Sequence, residues 1–399
     1  MEPNWQFVLV FTAVAVGWVL GRFSLRETLA SLRVGRWSEQ DYRGLTFLLT
    51  EQSDAAIDAF VESLEVNADT LETHLALGSL MRKRGEVERA IRIHQNLLAR
   101  PSLGETQLQQ AHLELARDFI SAGILGRAEK LLLDLAEQSS ELQDTALRHL
   151  LDIYQQERGW LKALDTARRL RPRRSLFGAA RRDRLLDLQQ SHYCCELADQ
   201  ALQRRDYQQA RLWLRRALEY DRACVRASLL LTRVERETGN HRQAIKALRR
   251  VREQDADFLP EVIGPLRASF ASLGDLDTYR EYLRESLLVH PSTAVLLAAA
   301  EELRLEQGTE AAALFVAEEL RRRPSLRGVA KLIELQLADA TGATAANLQL
   351  LHDLIRQLLS SKPYFKCGNC GFSGHQLHWL CPSCKQWGVI RPIRGIEGD

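Results

Sequence analysis

The chain has 399 residues, enough for two or three domains or for one extended repeat array. Its 54 basic residues stand against 52 acidic ones, a formal net charge of +2, so no global field draws it to nucleic acid. Only 10 prolines, in a chain rich in Leu, Ala, Arg and Glu, point to a mostly helical protein.

The first predicted element is Trp5–Gly21, WQFVLVFTAVAVGWVLG, with no charge and only Gln6 and Thr12 clearly polar. As a helix this run extends ~25 Å at 1.5 Å per residue, close to the thickness of a hydrocarbon core. Trp5 and Trp18 stand near its ends, where indoles prefer the membrane interface. A cleaved signal peptide would start with basic residues and end on a small-x-small site; Glu2 is the only charge before the run, and no such site follows. The reading is an uncleaved transmembrane anchor over 1–21. Arg22, Arg26, Arg33 and Arg36 follow directly, against Glu27 and Glu39, and make 22–40 a basic juxtamembrane segment. The positive-inside rule then places everything after residue 22 in the cytoplasm, where cysteines remain thiols or metal ligands. Gly17 and Gly21 form one small-x-x-x-small pair, as suited to filling space as to packing a second membrane helix.

From 41 to about 360 the chain repeats itself. Gly239, Gly274, Gly308 and Gly342 are spaced 35, 34 and 34 residues apart, and Gly85 and Gly123 belong to the same series. Twelve residues after an inner small residue comes an alanine: Gly44 with Ala56, Gly78 with Ala90, Ala116 with Ala128, Ala198 with Ala210. Four residues further stand Phe60, His94, Leu132 and Leu214. Small residues let two helices cross closely, and a glycine ends the first helix where φ must be positive. Pro101, Pro291 and Pro324 stop the helices before them. A 34-residue period of this kind is the tetratricopeptide signature, and it predicts an all-α solenoid of about nine helix pairs. The later units are degenerate: Tyr279 takes the small position of the seventh and Asn347 that of the ninth.

Such arrays present concave surfaces to peptides and protein domains. The chain carries no Gly-rich phosphate loop, no His-Glu-x-x-His and no Gly-x-Ser-x-Gly. His74, His94, His112, His149 and His192 sit among Leu and Ala at helical positions, which predicts packing or surface roles. Cys194, Cys195 and Cys224 read as buried thiols acting as small hydrophobes. No active site can be assembled, and the protein is read as a non-enzyme. One insertion, RRLRPRRSLFGAARRDR at 168–184, holds eight arginines and one aspartate. It reads as a solvated connector, with binding to phosphate groups or to an acidic loop as its competitor.

The last element is CGNCGFSGHQLHWLCPSC. Cys367 and Cys370 form one Cys-x-x-Cys knuckle, Cys381 and Cys384 a second, ten residues apart. Two knuckles brought together by a hairpin make a tetrahedral four-thiolate site, for which zinc is the default ion and iron the rival. Gly371 suits the left-handed backbone after the first knuckle. Phe372, Leu377, Trp379 and Trp387 give the flanking segments strand character, and His375 and His378 are read as loop residues. A closed shell leaves no position for water or substrate, so the metal is structural. Redox cycling would want a βαβ frame, and none precedes the knuckles. From Lys362 to Ile390 the only basic side chains are Lys362, Lys366 and Lys385, sparse for nucleic acid, although a nucleic-acid ribbon stays open. A domain this small needs metal or a neighbour to hold together, and its aromatic residues are expected to dock on the last helical units.

Anchor, repeats and ribbon together resemble the lipopolysaccharide assembly protein B family of Gram-negative bacteria. The resemblance runs over nearly the full length and is sharpest at RGEVERAIRIHQNLL (84–98) and in KPYFKCGNCGF, WLCPSC and RPIRG between 362 and 395. It implies a transmembrane helix at 1–21, a tetratricopeptide solenoid over 41–360 and a rubredoxin-like zinc ribbon over 361–399, with Cys367, Cys370, Cys381 and Cys384 as ligands of one metal ion. It also implies a place in the bacterial inner membrane with the bulk on the cytoplasmic side. The implied role is regulation of lipid A synthesis, as an adaptor that brings the UDP-acyl-GlcNAc deacetylase to a membrane-anchored protease of the FtsH type. Further implied partners are an inner-membrane lipopolysaccharide sensor and lipopolysaccharide transport or synthesis proteins. A generic scaffold for envelope enzymes, without a part in proteolysis, is the alternative. Nothing functional is carried onto 168–184.

Overall fold

The computed structural model describes residues 71–99, 103–170 and 183–395. The expected anchor at 1–21, the juxtamembrane segment 22–40, the first repeat, Pro101 and most of the arginine-rich insertion lie outside the described residues. Among the described residues no helix is long and apolar enough to cross a membrane. The chain divides after Leu131 into two compact units.

In the first unit, α1 (Leu71–Lys83), α2 (Val87–Leu98) and α3 (Glu105–Ser121) follow one another, and α4 (Leu125–Gln138) begins. Helices α1 and α2 cross at Gly78, where a Cβ would stand 2.4 Å from the His94 ring. The predicted small-residue pair is therefore a steric requirement set by a histidine. His94 is fully buried, and its Nδ1 lies 2.5 Å from Asp118 Oδ2. Asp118 also accepts from Arg82 at 2.6 Å, and Arg82 reaches Glu114 at 2.7 Å. A buried carboxylate persists because each oxygen has a partner. Desolvation acts first on both members of the Arg82–Glu114 pair; their bond outweighs it, so Glu114 lies below the usual carboxylate range and Arg82 above its own.

The second unit continues the alternation through α5 (Gln143–Gln156), α6 (Trp160–Arg169), α7 (Arg184–Gln203), α8 (Tyr207–Tyr220), α9 (Val225–Glu237) and α10 (His241–Gln254). After a short 3-10 turn at Ala256–Phe258 come α11 (Leu259–Leu273), α12 (Leu276–Val289), α13 (Thr293–Gln307), α14 (Thr309–Arg322), α15 (Leu326–Leu337) and α16 (Gly342–Ser360). The residues of the repeat sit where the period places them. Ala198 and Ala210 are fully buried, and Gly239, Gly274, Gly308 and Gly342 all have positive φ. At Pro291 and Pro324 the proline stops one helix, and the following serine caps the next: Ser292 Oγ accepts from Val295 N, Ser325 Oγ from Gly328 N. Tyr279, at the small position of its unit, is wholly buried, its ring 6.0 Å from that of Phe270. The last helix, α16, buries no residue fully, as its degenerate sequence foreshadows.

A three-stranded antiparallel sheet closes the chain: β1 (Phe365–Cys367), β2 (Ser373–Gly374) and β3 (Ile390–Pro392), in the order β2-β1-β3. The segments expected to be strands are mostly not. Phe372 precedes β2, Leu377 and Trp379 lie in loop, and Trp387 makes only an isolated bridge to Leu380. Their aromatic character serves packing instead, as the seat of the ribbon makes plain.

Candidate metal centre and the seat of the ribbon

The four knuckle sulfurs lie within 4.8 Å of one another, with Cys367 and Cys384 at 3.8 Å and Cys370 and Cys381 at 3.7 Å. A tetrahedron with metal–sulfur bonds of about 2.3 Å has edges of roughly 3.8 Å, so the cage has the dimensions of a four-thiolate zinc or iron site. Each knuckle turns the same way: Gly371 N donates to Cys367 O at 3.1 Å, and Lys385 N to Cys381 O at 3.0 Å. The residue after each knuckle is left-handed, glycine in the first (φ 79°) but Lys385 in the second (φ 56°). Asn369 N and Cys370 N donate to the Cys367 sulfur, both at 3.4 Å.

These bonds prepare the donors for an ion. Cys370 is pushed down to about 6, first by the Phe372 N–H, and Cys384 is also lowered, first by its bond with Asn369. Cys381, fully buried, is pushed up to about 11 by desolvation. A cation at the centre reverses that penalty, so the donor chemistry fits a resident metal. His375 and His378 stay outside the cage, their rings against Tyr364 and Phe372.

The ribbon is seated on the middle of the solenoid. The expectation of docking on the last helical units is corrected: apart from Arg327 of α15 over the Tyr364 ring, the aromatic contacts fall on α5, α6, α7, α9 and the turn before α11. Trp387 stacks on His192 with centroids 4.9 Å apart and planes 15° apart, and meets Trp160 and Tyr193 edge-on, each at 6.1 Å. Its Nε1 donates to Gln155 Oε1 at 2.7 Å. Arg226, held at 2.9 Å by Glu196, covers the Trp387 ring at 5.8 Å. Gly388 has φ 64°, and a Cβ on it would come 3.3 Å from His192 Nε2. Trp379 stacks on Phe258 at 5.4 Å, while Arg391 pairs with Asp255 at 3.2 Å and Arg394 with Asp257.

His192, read in sequence as a packing residue, is the floor of this seat. Burial pushes its imidazole down to about 3, with nearby Arg226 as second cause, so it is a neutral ring against the indole. Gln155, Phe258 and the Asp255–Asp257 pair had no mark in sequence. The three other cysteines are buried as expected, with Cys195 and Cys224 sulfurs 4.0 Å apart.

A helical-repeat solenoid carrying a closed four-thiolate ribbon on its own groove defines the class: a tetratricopeptide protein with a rubredoxin-type metal domain. Residues 365–392 match the model of the rubredoxin metal binding domain, and 201–264 match a tetratricopeptide repeat model. The chain is 34% identical over 393 residues to lipopolysaccharide assembly protein B of Escherichia coli K12, covering 98% of each chain. It is 33% identical over 400 residues to the Haemophilus influenzae protein of that name, again over 98% of each. The chain belongs to the lipopolysaccharide assembly protein B family.

Proposed function

We propose that the protein is a non-enzymatic adaptor in the regulation of lipopolysaccharide assembly, tethered to the inner membrane by residues 5–21. The observation that carries this reading is likeness along the whole chain, 98% of both partners, to proteins named for lipopolysaccharide assembly. The bulk of the chain stands on the cytoplasmic side. It holds the UDP-acyl-GlcNAc deacetylase beside an FtsH-type membrane protease and so sets how fast the deacetylase is destroyed. Tethering supports such a role physically, because confinement to one surface raises the effective concentration of substrate near protease. The seated ribbon supports it too: Trp387, Trp379 and the arginine pair lock the ribbon to the helices, so ribbon and groove present one rigid surface to a partner. An inner-membrane lipopolysaccharide sensor and transport or synthesis proteins are the further partners of this reading.

The test is deacetylase half-life in cells lacking the protein, complemented by the full chain or by a chain starting at residue 22. The full chain restores fast turnover and the shortened one does not. Equal turnover with both refutes the tether. A half-life indifferent to the protein's presence refutes the proteolytic role and leaves a scaffold for envelope enzymes.

A further inference from the structure

The second helices of the middle repeats carry a concentration of positive charge that the proposed function leaves unused. Helices α6, α8 and α10 together hold eleven Lys and Arg against three acidic residues, a net charge of +8. The first helices of the same three units, α5, α7 and α9, hold five basic and seven acidic residues, net −2. The asymmetry ends with this stretch: α12 and α14 are each net −1.

The repeat sets these charges in register. The buried positions of successive second helices align as Ala210, Ala244 and Tyr279, then Leu214, Leu248 and Leu283. The residue after the second set is in every case an exposed arginine: Arg215, Arg249 and Arg284. In α6 the same count from Ala163 and Ala167 arrives at Arg168, also exposed. A cation therefore recurs at the same position of successive repeats, although Arg249 lies over the rings of Phe270 and Tyr282, at 5.6 and 5.7 Å. Arg215, Arg242, Lys246 and Arg250 have no ion pair among the described residues. Arg168 has only a long, exposed contact with Asp165 at 3.9 Å. Unpaired like charges at repeat spacing repel one another, and an anionic surface opposite them relieves that repulsion.

Apolar side chains lie among the cations. Leu161 of α6 is 60% exposed and Leu212 of α8 47% exposed, next to Trp213. One face of Trp213 is covered by Arg216 at 5.1 Å, which leaves less of the ring for stacking on a nucleic-acid base. Leucine and tryptophan set among arginines is the composition of a face that lies in the headgroup layer of a bilayer. The ribbon rests on the first helices and the start of α6, so the basic face stays open when the ribbon is seated.

We propose that the second-helix face of α6, α8 and α10 docks on an anionic phospholipid bilayer, with Arg215, Arg242, Lys246 and Arg250 against phosphates and Leu212 entering the headgroup layer. The inference rests on the membrane placement in the proposed function. It adds that the solenoid lies against the membrane by a defined face instead of hanging from its anchor.

The test uses the full chain in nanodiscs of phosphatidylcholine, alone or with phosphatidylglycerol, each doped with a photoactivatable phospholipid whose adducts are mapped by mass spectrometry. Adducts on α8 and α10 are expected in the anionic discs. They fall toward the phosphatidylcholine level in 0.5 M salt and in the variant Arg215→Glu, Arg242→Glu, Lys246→Glu, by roughly fivefold for each charge removed. The salt arm needs no mutation, so a folding defect in the variant does not blur the outcome. Adducts on 5–21 without any on α8 and α10 overturn the docking face alone. Absence of adducts on both sinks the membrane placement and the docking face with it. Binding of a single-stranded RNA oligomer or an acidic polypeptide that the variant loses, with no lipid adducts on α8 and α10, reassigns the face and refutes the proposal.

Discussion

Replacing Trp387 by Ala removes the side chain on which the seating of the ribbon turns. Trp387 is 4% exposed and touches His192, Trp160, Tyr193, Arg226 and Gln155. Burying an indole removes ~150–250 Å² from water, worth about 4–6 kcal/mol at 25 cal/mol per Å². Relaxation of the surroundings brings a Trp→Ala change to about 3–5 kcal/mol. The lost hydrogen bond adds little, because Gln155 Oε1 keeps the Tyr193 hydroxyl as donor at 3.3 Å. For a unit of this size each kcal/mol moves the melting point by roughly 2–4 °C, so a fall of about 6–20 °C is expected in calorimetry. Trp387→Phe keeps most of the stacking and falls between. A drop smaller than about 3 °C for the alanine variant would mean that the seat contributes little, and the account of the ribbon as locked to the helices would fail.

Three further outcomes follow from the same geometry. Gly388→Ala forces a side chain to φ 64° and towards His192, and the strained backbone alone costs about 1–2 kcal/mol; the variant should melt lower while still binding metal. Cys367→Ser, or chelation of the native protein, should remove one metal ion per chain by elemental analysis and abolish the sheet of β1–β3, leaving helical circular dichroism nearly unchanged. Unchanged ribbon amide exchange after metal loss would refute a structural ion. The third outcome concerns pH. His192 is held neutral, pushed down to about 3 in the folded protein against an ordinary 6.5, so the unfolded chain binds its proton first. The stability of the seat is then complete above pH 6.5 and is lost as pH falls towards 3, by about 1.4 kcal/mol per pH unit. His192→Gln should flatten the slope of denaturant midpoint between pH 6.5 and 5; an unaltered slope would show that another group titrates there.

Much of the fold was legible because its rules are local. Glycines 34 or 35 residues apart mark positive φ, and Pro291 and Pro324 mark where one helix stops; the serine caps that follow them emerge only in the structure. The knuckles were legible for the same reason, since Cys-x-x-Cys is a turn within four residues. What misled was inference from residue type without a partner. Phe372, Leu377 and Trp379 suggested strands, but the pairing strands are three residues or fewer, and the aromatic rings are spent on packing. His94 is packed, one of the two roles its position allowed, but its buried partner Asp118, 24 residues away, had no mark in sequence.

The sequence by itself determined the repeat, its length and phase, the identity of the four thiols and the family to which the chain belongs. Only the tertiary structure decided where the ribbon rests and which charges share a face. Trp387 and Gln155 are 232 positions apart, and Arg394 and Asp257 are 137 apart. No period or propensity connects residues so distant. The stacking of the repeats brings Gln155 of α5, His192 of α7 and Arg226 of α9 around one indole, and there the ribbon's tryptophan is desolvated and hydrogen-bonded at once. The same stacking puts the exposed arginines at 215, 249 and 284 at matching positions of successive second helices.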